Sequence, residues 1–75
     1  MAKLRLLKTG HGDVCLAEWD VALPETVRQA EAVFREQCGA GRMAFRLDGP
    51  GRTRPLDRFD ATAPEILIVP AIQGG

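Results

Sequence analysis

Few residues in this chain are suited to covalent chemistry. They are two cysteines (Cys15, Cys38), one histidine (His11), two lysines (Lys3, Lys8) and the C-terminal pair Gly74 and Gly75. A thiol and an imidazole need only meet in space to form a nucleophilic pair. Here, however, Cys15 falls in an expected strand, Cys38 at an expected helix end and His11 at the tip of an expected turn. The reading is of two buried, inert thiols and a solvated loop histidine. Three such ligands at these separations do not make a structural zinc site. The spacing leaves open whether the thiols pair with each other, and a cytosolic location argues against it. The lysines are the candidate acyl acceptors, because the other eight basic residues are arginines whose guanidinium stays protonated.

The C-terminus carries more. Ile66, Leu67, Ile68 and Val69 form an uninterrupted aliphatic run with the composition of a strand buried on both faces. Pro70 then removes a ladder donor and marks where central pairing should stop. Ala71, Ile72 and Gln73 are uncharged, and Gly74 and Gly75 have no side chain to pack. Glycine here supplies flexibility, or access for the backbone where a Cβ would not fit. The expected domain is a single unit over residues 1–75, with a flexible tail from about residue 70.

Size and charge narrow the class. Seventy-five residues make one domain with one small core. With 45% hydrophobic and 27% charged residues the chain is ordinary soluble globular material rather than a disordered polymer. No apolar run approaches the roughly 18 residues of a membrane span, and no charged and apolar leader opens the chain. The expected location is the cytoplasm. Ten basic residues balance ten acidic ones, so no net field would draw nucleic acid or an anionic membrane.

The elements that position this tail follow in order. Residues 3–9 alternate imperfectly and read as a strand. Gly10, His11, Gly12 and Asp13 are turn formers, and residues 14–19 alternate again, which makes a hairpin. Pro24 suits the first turn of a helix and Glu25 its positive dipole end, although Leu23 is a poor cap. Val27, Ala30, Phe34 and Cys38 recur at spacings of three and four on one stripe, with Val33 at its margin. Arg28, Gln29, Arg35 and Glu36 face water. Gly39 and Gly41 close the helix. Residues 39–44 also fit the loose pattern G-x-G-x-x-A, but that fingerprint must follow a strand and open a helix, and this one does the reverse. Residues 43–47 read as a third strand, 48–51 as a turn, 52–55 as a short edge strand with Pro55, and 56–59 as a helical turn dropping Leu56 and Phe59 into the core. The predicted core is Leu4, Leu6, Leu16, Val27, Phe34, Phe45, Leu56, Phe59, Leu67 and Val69, between one helix and a mixed sheet of four to five strands, an α+β arrangement.

This order of elements, together with Val69, Pro70, Ala71, Ile72, Gln73, Gly74 and Gly75, resembles the ubiquitin-like β-grasp superfamily, which holds ubiquitin-type modifiers and small sulfur carriers. The resemblance covers the whole order, but its specific part is residues 56–75. It implies first and last strands side by side in the sheet. It also implies a terminal Gly75 carboxylate that a separate activating enzyme adenylates with ATP, giving a mixed anhydride open to nucleophiles. The chain would be substrate and carrier, not an enzyme, and would bind no cofactor itself. Gly74 and Gly75 would be the activated end, and Ala71, Ile72 and Gln73 the segment that the activating enzyme reads. Ubiquitin has arginines in its tail, so an enzyme reading that charge should not accept this chain.

Two fates follow from the resemblance. As a modifier, Gly75 passes through thioester or ester intermediates to a conjugating enzyme and a target protein, with Lys3 and Lys8 as candidate chain acceptors. As a sulfur carrier, it becomes a thiocarboxylate for a sulfur-accepting synthase. Arg42, Arg46 and Arg54, with Leu56 and Phe59 before the last strand, look more like ubiquitin, whereas Val69, Pro70 and Ala71 look more like the carriers. The modifier reading leads. A third reading is a non-covalent β-grasp adaptor, since some phage tail-assembly proteins carry a similar unit and tail.

Overall fold

The chain runs β1 (Ala2–Lys8), β2 (Gly12–Trp19), α1 (Pro24–Gly39), β3 (Met43–Gly49), β4 (Arg52–Leu56) and β5 (Glu65–Val69) in a computed structural model. The structure describes residues 1–8, 10 and 12–70. One five-stranded mixed sheet has the order β2-β1-β5-β3-β4. β1 and β5 are parallel, and the neighbouring pairs β1–β2, β3–β4 and β3–β5 are antiparallel. With one helix packed on one face, this is the two-layer α+β, β-grasp-like arrangement expected from the order of elements.

The helix begins at the weak cap anticipated at Leu23, which makes no side-chain capping bond. Thr26 and Asp20 hold the entry instead. The Thr26 hydroxyl donates to the Leu23 carbonyl at 2.7 Å, and the Asp20 N–H donates to Thr26 Oγ1 at 2.9 Å. At the other end the Gly41 N–H reaches the Cys38 carbonyl (3.0 Å) and the Arg42 N–H reaches that of Gln37 (3.3 Å). This is the paired closure that needs a left-handed residue after the last turn, and Gly41 supplies it at φ +90°. The helix therefore stops abruptly and β3 can start two residues later.

Leu4, Leu6, Trp19, Ala30, Phe34, Ala44, Ala63, Ile66 and Ile68 are the buried core. Leu16, Val27, Leu56 and Phe59 pack against it. Phe59 stands edge-on to both Trp19 (5.0 Å between centroids) and Phe34 (5.7 Å), a geometry aromatic quadrupoles favour. Trp19 Nε1 donates to the Ala61 carbonyl at 3.0 Å, which satisfies its one buried donor. Sheet, helix and the segment before β5 are thereby joined through one aromatic cluster.

Three expectations are corrected. Phe45, Leu67 and Val69 are not in the core: Ile66 and Ile68 point to the helix, and their neighbours Leu67 and Val69 lie half-buried on the opposite face. Phe45 shares that face because its neighbour Ala44 takes the helix side. β5 is accordingly covered on one face only. Residues 57–58 form bends rather than a helical turn, although Leu56 and Phe59 do reach the core. Finally, Cys15 is exposed and Cys38 half-buried, and both are free thiols. Burial pushes the Cys38 thiol above its ordinary pKa, which keeps it protonated and unreactive.

Candidate functional site: the open sheet face and the end of β5

The face of the sheet away from α1 divides into two halves. On the β2–β1 side, Lys3 lies 4.0 Å from Glu18, while Arg5 holds Asp13 at 2.7 Å and Glu65 at 2.6 Å. Arg5 thus ties three strands, and the hydrogen bond to Glu65 and the charge of Asp13 raise its pKa further. These pairs are at least partly open to solvent, so they contribute little to stability. Cys15 stands opposite Arg5 in the β1–β2 register, and its thiol donates to the Ala17 carbonyl at 3.5 Å.

The other half is apolar. Strand registers place Arg5 beside Leu67, Leu67 beside Phe45 and Phe45 beside Pro55, in one row across four strands. In the next row Val69 pairs with Met43, and Leu7 follows the Leu6–Ile68 partnership by one residue. Met43 and Leu7 are 52% and 42% exposed, so this surface is accessible. Contiguous apolar surface of this kind marks interaction sites.

The patch lies at one particular end of β5. β1 is parallel to β5, so Leu7 and Lys8 end where β5 ends; β3 is antiparallel, so Arg42 and Met43 begin there. Val69 and Pro70 thus leave the sheet between two cationic residues, with the apolar patch alongside. Lys3 is in register with Glu65 at the start of β5. It is separated from Lys8 by five residues, about 16 Å along a strand. The two candidate acceptor lysines therefore sit at opposite ends of the sheet.

The residues expected to carry the chemistry, Gly74 and Gly75, and those expected to be read with them, Ala71, Ile72 and Gln73, lie outside the described residues, as does His11. What the structure brings together is the root of that segment and the apolar face, which sequence reasoning had placed in the core. The pairing of Arg5 with Asp13 and Glu65 was also missed. Its signal was the alternation of charges with core leucines along β1.

A second polar cluster lies on the helix side. Arg46 Nε donates to Asp48 at 2.7 Å, and its Nη1 donates to Asp60 and, at 3.1 Å, to Thr62 Oγ1. The Thr62 hydroxyl and N–H both donate to Asp60 Oδ1, at 2.6 and 2.9 Å. With Arg46 they hold the Asp60 carboxyl below the usual carboxylate range. Asp48 and Asp60 raise Arg46 in turn. The cluster fastens the segment before β5 to β3 and so fixes where β5 starts. Among the described residues, no group of three or more His, Cys, Asp or Glu is placed to hold a metal ion, and no helix is long and apolar enough to cross a membrane. Comparison with protein-family models, curated proteins and solved structures finds no match.

Proposed function

We propose that this chain is a ubiquitin-like protein modifier. The Gly75 carboxylate is adenylated by a partner enzyme using ATP and passed through thioester or ester intermediates to a conjugating enzyme and a target. The observation that carries this reading is the apolar patch of Leu67, Phe45, Val69 and Met43 beside the end of β5. An enzyme that must thread a thin segment into a nucleotide site needs a rigid surface to grip near its root, and positioning of this kind is a large part of catalytic rate. The protein contributes a handle and a docking face, and no catalytic residue. It works as a substrate and carrier in the cytoplasm, in partnership with proteins rather than nucleic acid or membrane.

A sulfur-carrier reading shares every step through the adenylate. It is favoured by Val69, Pro70 and Ala71 at the root, and it ends in a Gly75 thiocarboxylate handed to a synthase. The shared step is tested by deleting Gly74 and Gly75, which have no side chains to pack. Folding should be unchanged, and ATP–pyrophosphate exchange by the cognate activating enzyme should disappear. Exchange near the full-length level would remove these residues from the mechanism and leave a non-covalent adaptor.

A further inference from the structure

The β3–β4 hairpin carries a positive surface that the chemistry of the C-terminus does not use. Arg46 and Arg54 are partners across the two strands, so their side chains leave the same face, and Arg52 lies two residues from Arg54 along it. Like charges directly opposite one another destabilise a sheet. Arg46 is compensated by Asp48 and Asp60. Arg52 and Arg54 are exposed and, among the described residues, form no ion pair. With Asp48, Gly51 and Thr53, the three arginines line an open polar cleft of about 620 Å³. The charge is a property of this segment, since the chain as a whole is neutral.

We propose that this cleft docks an extended acidic segment of a partner protein that carries carboxylates at alternate positions. Arg52 and Arg54 stand about 7 Å apart along β4, the spacing of carboxylates two residues apart on an extended chain. Guanidinium pairs well with carboxylate, and Arg5 and Arg46 each hold two in this same molecule. Recognition runs through these side chains rather than by strand addition. β4 is an edge strand, but Pro55 removes a backbone donor from it and blunts that edge. Nucleic acid fits less well, because a neutral chain has no long-range attractive field and no aromatic ring lines the cleft for base stacking.

Fluorescence anisotropy with the full chain tests this. The probes are a labelled peptide alternating Glu and Val, the same peptide with Gln for every Glu, and a single-stranded oligonucleotide of equal charge. The Glu peptide should bind at least about tenfold tighter than the Gln peptide, and its affinity should fall as salt rises. The double variant Arg52→Gln, Arg54→Gln should lose about tenfold for the Glu peptide, as expected when two charge-assisted contacts go. Both residues are exposed and Arg54 stands opposite another arginine, so its melting temperature should not fall. Amide shifts in labelled wild-type protein should concentrate at residues 46–54. Equal affinity for the two peptides, unaltered binding by the double variant, shifts elsewhere on the sheet, or tighter binding of the oligonucleotide would each overturn the proposal.

Discussion

Phe45 and Leu67 are partners in the antiparallel β3–β5 pair and face away from the helix. Each is half-buried, sheltered by its neighbours in the sheet rather than by a second layer. Phe45→Ala should therefore lose only a cross-strand pair, about 1 kcal/mol, while opening a gap in the proposed docking face. Urea melts should show that small loss, and the activating enzyme should show a raised KM with kcat little changed, the mark of lost uniform binding. A stability loss of several kcal/mol would put Phe45 back in the core.

Phe34 presents the opposite case, since it is 2% exposed and packs edge-on against Phe59. Phe34→Ala should cost about 3–5 kcal/mol, the usual range for truncating a buried phenylalanine. That is comparable with the whole stability of so small a domain. Denaturant melts measure it directly, and a loss below about 1 kcal/mol would mean that the helix face is wrongly assigned.

These two phenylalanines show why the sequence was legible in one element and not in another. On α1 the spacing of Val27, Ala30, Phe34 and Cys38 fixes a stripe, because a helix sets each side chain about 100° from the last and polar residues fill the rest. In β5 four aliphatic residues follow one another without a polar residue, so period two has nothing to register against. The two parities were indistinguishable, and bulk favoured the wrong one in β3. The small residues Ala44 and Ala63 turn inward because the helix and the aromatic cluster already fill that space. The adjacency of the first and last strands was expected from the resemblance and is found in the parallel β1–β5 pair; the places of the other strands were not read from the sequence. The Arg46–Asp60–Thr62 cluster was not legible, because Arg46 lies 14 and 16 residues from its two partners and meets them only once the segment before β5 has folded over the sheet.

That cluster should shape acid stability. The Asp60 pKa is lowered in the folded protein by Thr62 and Arg46, so the ionised carboxylate favours folding. Its contribution is fully present above the unfolded value, about 3.9, and is lost as pH falls through the lower folded value. Asp60→Asn removes that titration. Melting temperatures from pH 6 to pH 2 should fall less steeply in the variant, with wild type the more stable near neutrality. Parallel curves would show that Asp60 ionisation is not coupled to folding.

The two fates proposed for the Gly75 carboxylate differ in what they would leave behind, and the lysines make the difference readable. Only Lys3 and Lys8 offer side-chain amines. Lys8 is exposed at the end of the sheet where β5 finishes, whereas Lys3 is at the far end and within 4.0 Å of Glu18. A modifier with so few acceptors should be attached mainly as a single unit, or in chains through Lys3, Lys8 or the amino terminus. Lys3→Arg with Lys8→Arg should then remove side-chain-linked chains and leave attachment to the target intact, since arginine cannot accept an acyl group. Reconstitution with the cognate activating and conjugating enzymes and ATP, read by intact mass, decides between the fates. Protein-sized adducts that survive reducing agent would eliminate the carrier reading. A gain of about 16 Da, oxygen exchanged for sulfur on the activated acyl group, with no heavier conjugates, would eliminate the modifier reading.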